Sequence, residues 1–254
     1  MFWTSNKLPL KEDERKWIED SLHWLIRQFG SEYFLGRRMI LPDSSFFPDK
    51  FHGTKACVDG LVTRICGYMD VDPNRVEVEL FSDRDDTVSK HRLGEEQYSG
   101  AAGLYLHPGT PNDRIKVSIN TSKLNNPTAL VATVAHELGH VILLADGRLS
   151  REDKSHEYMT DLLTVFLGLG IFTANAVVQF SQWQDHSHQG WSISRQGYMT
   201  EEMFGYALAA CAWMRNNSGN AWERHLSVNV KHYFKTSLNY LEKGGTTSLS
   251  KLRQ

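Results

Sequence analysis

His136, Glu137, Leu138, Gly139 and His140 form an H-E-x-x-H pattern. Residues four apart share one face of an α-helix, so both imidazoles can reach one metal ion. Glu137, beside the first histidine, can then address a water in an open coordination position. A metal lowers the pKa of such a water toward about 7, and a neighbouring carboxylate can take its proton. The flanking residues Val134, Ala135, Val141 and Ile142 are uncharged. They point to a helix buried around most of its circumference. Two imidazoles and a carboxylate buried there without a metal would be costly, which argues against a merely solvated pair of histidines.

A catalytic zinc takes a third protein ligand. Asp146 occupies the place of the last ligand in H-E-x-x-H-x-x-G-x-x-H, but Leu143 stands where that pattern needs glycine to bend the chain. His156 has a suitable side chain. The run Glu157-Tyr158-Met159-Thr160-Asp161 offers a better arrangement. Glu157 would complete a His2Glu set. Asp161, one turn later on the same face, could accept a hydrogen bond from the outer nitrogen of a ligand histidine and fix its tautomer. Two imidazoles and a carboxylate favour zinc as the metal, although other divalent ions accept the same donors.

HELGH followed by EYMTD resembles the gluzincin group of zincin metallopeptidases, over roughly residues 100–170. The resemblance implies an active-site helix followed by a second helix that carries a glutamate ligand. It implies a zinc-dependent peptidase acting on a peptide or protein substrate, with His136, His140 and Glu157 on the metal and Glu137 as general base. It also implies an edge strand that holds the substrate backbone. Residues 115–119 are the natural candidate, and an ordinary interior strand is the equal alternative. Gluzincins further supply a donor for the oxyanion from a downstream His, Tyr or Arg. Tyr198, and after it Arg195, fill that role in SISRQGYMTEE, just before a helix start at Thr200. The rival reading is a non-catalytic zinc-binding regulatory or interaction protein built on a zincin fold. The intact Glu137 speaks against it, since a structural site needs no base.

These residues must be positioned by the surrounding elements. Residues 10–29 have helical spacing of Trp17, Ile18, Leu22, Leu25, Ile26 and Phe29, and 54–69 repeat the pattern with Val58, Leu61, Val62 and Ile65. VEVEL (76–80), 102–106 and IKVSI (115–119) read as strands, the last two joined as a hairpin through 107–113. Asn126 and Pro127 open the metal-bearing helix, which runs to about Ala145 with Gly147 as its stop. Residues 152–171, 200–215 and 221–241 read as helices. The small residues from Gly205 to Ala210 would allow close helix packing.

The order predicts an α+β, zincin-like fold: a small mixed sheet, an active-site helix and a mainly helical C-terminal half. The 254 residues read as a single metallopeptidase-like domain. Within it, 1–100 form an N-terminal α/β part, 101–170 the zincin core and 171–254 a helical part.

Twenty-eight Lys and Arg against 30 Asp and Glu give a net charge of -2, which argues against a broad basic surface for nucleic acid. Cys57, Cys66 and Cys211 form no C-x-x-C pair, and the N-terminus lacks a basic stretch followed by an apolar core. Reduced thiols and a cytoplasmic location are therefore expected. Leu162 to Phe180 carries no formal charge and is the minority candidate for membrane association. Its polar residues and two glycines favour a buried helix, broken near Phe172. His186 and His188 read as solvated loop histidines, and His225 and His232 as a solvent face.

Overall fold

The computed structural model describes residues 8–82, 103–106, 114–184, 199–216 and 221–252. Its contacts group the chain into two compact units, Phe47–His156 and the pair Met1–Phe46 with Glu157–Gln254. The architecture is α+β: among the described residues helices dominate, and the strands form one three-stranded sheet.

The unit Phe47–His156 begins with α1 (Lys55–Met69), whose first turn is capped by the Thr54 hydroxyl accepting from the Cys57 amide at 3.3 Å. The Asp72 carboxylate accepts from the Asn74 amide and turns the chain into β1 (Val76–Phe81). β2 (Gly103–Leu106) and β3 (Ile115–Asn120) follow. β3 lies in the middle, parallel to β1 with Val76 opposite Ile115, and antiparallel to β2 with Gly103 opposite Ile119. The hairpin pairing is as expected, and its turn lies outside the described residues. The edge role of 115–119 is overturned: β3 has a partner on each side and is the interior strand. Its Ile115, Val117 and Ile119 are buried, and so are Ser118 and Asn120 on the opposite face. Lys116 reaches across to the Glu79 carboxylate on β1.

α2 (Pro127–His140) opens as its sequence requires. The Asn126 side chain accepts from the Ala129 amide at 3.1 Å, and Pro127 takes the first helical position, where a missing N–H costs nothing. Every residue from Leu130 to His140 is buried. α2 packs on α1 and on β2 and β3. After His140 the helix widens into a π-turn, Val141–Ala145, and Gly147 ends it at a φ of +67°. Pro127–Ala145 is long and apolar enough to cross a bilayer, yet 78% of its most apolar window is buried inside the protein.

In the other unit, α3 (Glu12–Phe29) buries Ile18, Leu22, Leu25 and Ile26 as the spacing predicts. It also buries Arg15 and Glu19, at 4% and 2% exposure. The Glu19 carboxylate accepts from the Arg15 guanidinium, the Tyr206 hydroxyl and the amide and hydroxyl of Ser248. A short helix, α4 (Ser31–Gly36), follows.

α5 (His156–Phe166) and α6 (Gly170–Gln184) replace the single helix expected over 152–171. The break falls at 167–169, earlier than Phe172. Gly168 takes a φ of +93°, and a Cβ there would sit 2.2 Å from the Arg38 carbonyl oxygen. The Gly168 carbonyl in turn accepts from the Ile40 amide at 2.9 Å. The extended segment around Arg38 therefore runs along the break and fixes it. The apolar stretch from Leu162 is interrupted here, and its described side chains are buried with few exceptions.

α7 (Glu201–Met214) starts at a Thr200 cap, and α8 (Val228–Glu242) follows a 3-10 turn over Ala221–His225. The close packing expected of the small residues on α7 is present. A Cβ on Gly205 would stand 2.4 Å from the Tyr233 Cβ of α8. The three thiols are free, and burial pushes Cys66 up to about 12 and Cys211 up to about 11.

Candidate metal centre

His136 and His140 face the same side of α2, four residues apart. Their rings stand 4.8 Å apart, edge to face at 86°. Both are buried, at 8% and 6% exposure, and Glu137 between them is at 6%. Burial on this scale follows from the position of α2 against α1 and the sheet. Imidazoles and carboxylates kept that dry need partners, and a metal ion is one that can serve several of them at once.

Glu157 sits in the first turn of α5 and is half-buried. One ligating atom from each of His136, His140 and Glu157 lies within 4.8 Å of the others, and this is the metal-competent group among the described residues. Donor atoms bonded tetrahedrally to one zinc at about 2.0–2.2 Å stand roughly 3.3–3.6 Å apart, so the three side chains would draw together on binding one. The donor set of two imidazoles and one carboxylate fits a zinc ion in chemistry.

No family model matches this chain, and no significant match is found among curated proteins or solved structures. The chemistry of the site accordingly rests on its own residues.

The chain between the two ligand helices is tied down by hydrogen bonds. Within the π-turn the Val141 carbonyl accepts from the Asp146 amide at 3.2 Å, five residues on. The Leu149 amide donates back to the Leu143 carbonyl at 2.8 Å. Asp153 then prepares α5: its carboxylate accepts from the amide and hydroxyl of Ser155, and its carbonyl accepts from the His156 amide at 3.1 Å. The Ser155 hydrogen bonds hold the Asp153 carboxyl below the usual carboxylate range.

Asp146 takes no part in the metal-competent group. Its carboxylate pairs with Arg75 at 2.8 Å and approaches Arg148 at 3.8 Å. Asp161 is buried at 4% exposure, and its Oδ2 accepts from the Met199 amide at 2.9 Å. It thus fastens α5 to the residue that precedes the Thr200 cap of α7. Tyr198 and Arg195 lie outside the described residues, as do His186 and His188.

Two features here escaped the sequence reading. One is the π-turn after His140, in a run of apolar residues that carries no local mark of it. The other is the contact of His156 with the candidate ligand His140, whose rings stand 5.7 Å apart. The residue type could have suggested that contact, but only the path of the connecting loop decides it.

Proposed function

We propose that this chain is a zinc-dependent peptidase of the gluzincin kind, with a zincin-like core. The observation that carries the proposal is the convergence of His136, His140 and Glu157 within 4.8 Å, with Glu137 buried between the two histidines. His136 and His140 from α2 and Glu157 from α5 would hold the zinc. Zinc bound there would supply a Lewis acid and bring the pKa of a coordinated water down toward about 7. Glu137 would take the proton of the attacking water and hand it to the departing amine, which is general base and then general acid catalysis.

Asp161, on the same helix as Glu157, keeps the proposed role of an outer carboxylate that orients a ligand imidazole. Tyr198 or Arg195 would donate a hydrogen bond to the developing oxyanion. Among the described residues β2 stands at an edge of the sheet, and it packs against α2. It therefore replaces 115–119 as the strand on which an extended peptide substrate would pair. The proposed substrate is a peptide or protein, the proposed location the cytoplasm, and neither nucleic acid nor membrane enters the reading.

Glu137→Gln tests it. The variant keeps the shape and the zinc ligands but loses the proton acceptor. It should bind zinc as the parent does and fail to cleave peptides from a random library that the parent cleaves. The rival reading, a zinc site in a non-catalytic regulatory protein, requires that neither form cleaves.

A further inference from the structure

His156 is half-buried, and its Nδ1 is shielded from solvent. Its ring meets that of His140 edge to face, 5.7 Å between centroids at an interplanar angle of 64°. His140 in turn meets His136 in the same manner at 4.8 Å. Three imidazoles thus form a row of edge-to-face contacts, with His140 in contact with both others. Only His136 and His140 belong to the metal-competent group, and His156 stands outside it. The place of His156 is set by the loop. Leu149 is bonded back to the π-turn, and the Asp153 carbonyl receives the His156 amide.

We propose that His156 is a positioning residue of the metal centre: its ring braces the His140 ring and fixes the plane from which His140 reaches the metal. An imidazole on a helix can rotate about two torsions, and a ligand that must be ordered on binding loses affinity. In contact with both His136 and His156, the His140 ring is ordered beforehand. The π-turn directly after His140 makes such a brace useful, because the widened backbone replaces regular α-helical bonding there. The inference rests on the metal-centre reading, and it concerns packing: the aromatic ring matters and its nitrogens do not.

The test is a zinc titration of the purified full-length protein against a competing chromophoric chelator. It compares the parent with His156→Phe, which keeps a ring, and His156→Gln, which keeps polar atoms and loses the ring. Removal of a group that orients a zinc ligand costs about 10–100-fold in affinity. His156→Gln should fall in that range, and His156→Phe should stay close to the parent. The visible spectrum of the cobalt-substituted protein should be the same for the parent and His156→Phe. Equal losses in both variants, a Gln variant that binds like the parent, or a changed cobalt spectrum in His156→Phe would overturn the proposal. A parent protein that binds no zinc would instead overturn the metal-centre reading beneath it.

Discussion

The Oδ2 atom of Asp161 accepts a hydrogen bond from the Met199 amide at 2.9 Å, and the bond is buried. Asp161 lies one turn after Glu157, so the helix that carries the proposed glutamate ligand also anchors the chain entering α7. Asp161→Ala would leave the Met199 N–H buried without its acceptor, at a cost of about 1–3 kcal/mol. Urea unfolding of the metal-free protein should show that loss, and Asp161→Asn, which keeps an amide oxygen, should show less of it. An unchanged midpoint for Asp161→Ala would contradict the anchoring role.

Asp146 pairs with Arg75 at 2.8 Å, with the two side chains 28% and 44% exposed. Ion pairs this open contribute about 0–1 kcal/mol. Asp146→Asn should therefore change stability by no more than that and leave zinc affinity where it was. A large fall in zinc affinity would restore Asp146 as a ligand and remove Glu157 from that role.

Glu19 gives the unit around α3 a dependence on pH. Burial opposes its charge, but hydrogen bonds from Tyr206, Ser248 and Arg15 outweigh burial and hold its pKa below the ordinary 4.5. A carboxylate with a depressed folded-state pKa binds fewer protons folded than unfolded. Its stabilisation is complete above about pH 4.5 and is lost as the pH falls through the folded value. Denaturant midpoints should decline across that acid range, and Glu19→Gln should flatten the decline. The same substitution removes the carboxylate that accepts from Arg15, which keeps its pair with Glu12, so it should cost about 1–3 kcal/mol at neutral pH. A midpoint at neutral pH equal to the parent's would refute the role assigned to Glu19.

Gly168 turns the chain between α5 and α6 with a φ of +93°, against the Arg38 carbonyl. Gly168→Ala meets both a strained backbone and a clash. It should lower stability by at least about 1–3 kcal/mol, measurable as a drop in thermal midpoint. A neutral result would mean that the segment around Arg38 yields without cost.

What the sequence disclosed is what neighbouring residues decide. Asn126-Pro127 and Gly147 bracket the metal-bearing helix because capping and termination act within a turn. The spacing of His136 and His140 discloses a shared face for the same reason, and EYMTD places Glu157 and Asp161 on the following helix. What stayed hidden depends on distant partners. Nothing near Arg15 and Glu19 in the sequence marks them for burial, yet Glu19 meets Tyr206 and Ser248 from 187 and 229 residues further on. The break at Gly168 is set by the Arg38 carbonyl. Strand alternation in IKVSI marked a strand but not its place in the sheet, because order is decided by which strands pair. The break in helical bonding after His140 follows from packing around an apolar run, and no single residue in VILLA announces it.

The most direct test of the central claim is metal content and peptide hydrolysis measured on the same preparations of the parent protein and Glu137→Gln. The account predicts one zinc per chain in both, cleavage by the parent, and loss of cleavage in the variant. A parent protein without bound metal, or a Glu137→Gln variant that cleaves at the parent's rate, would contradict it.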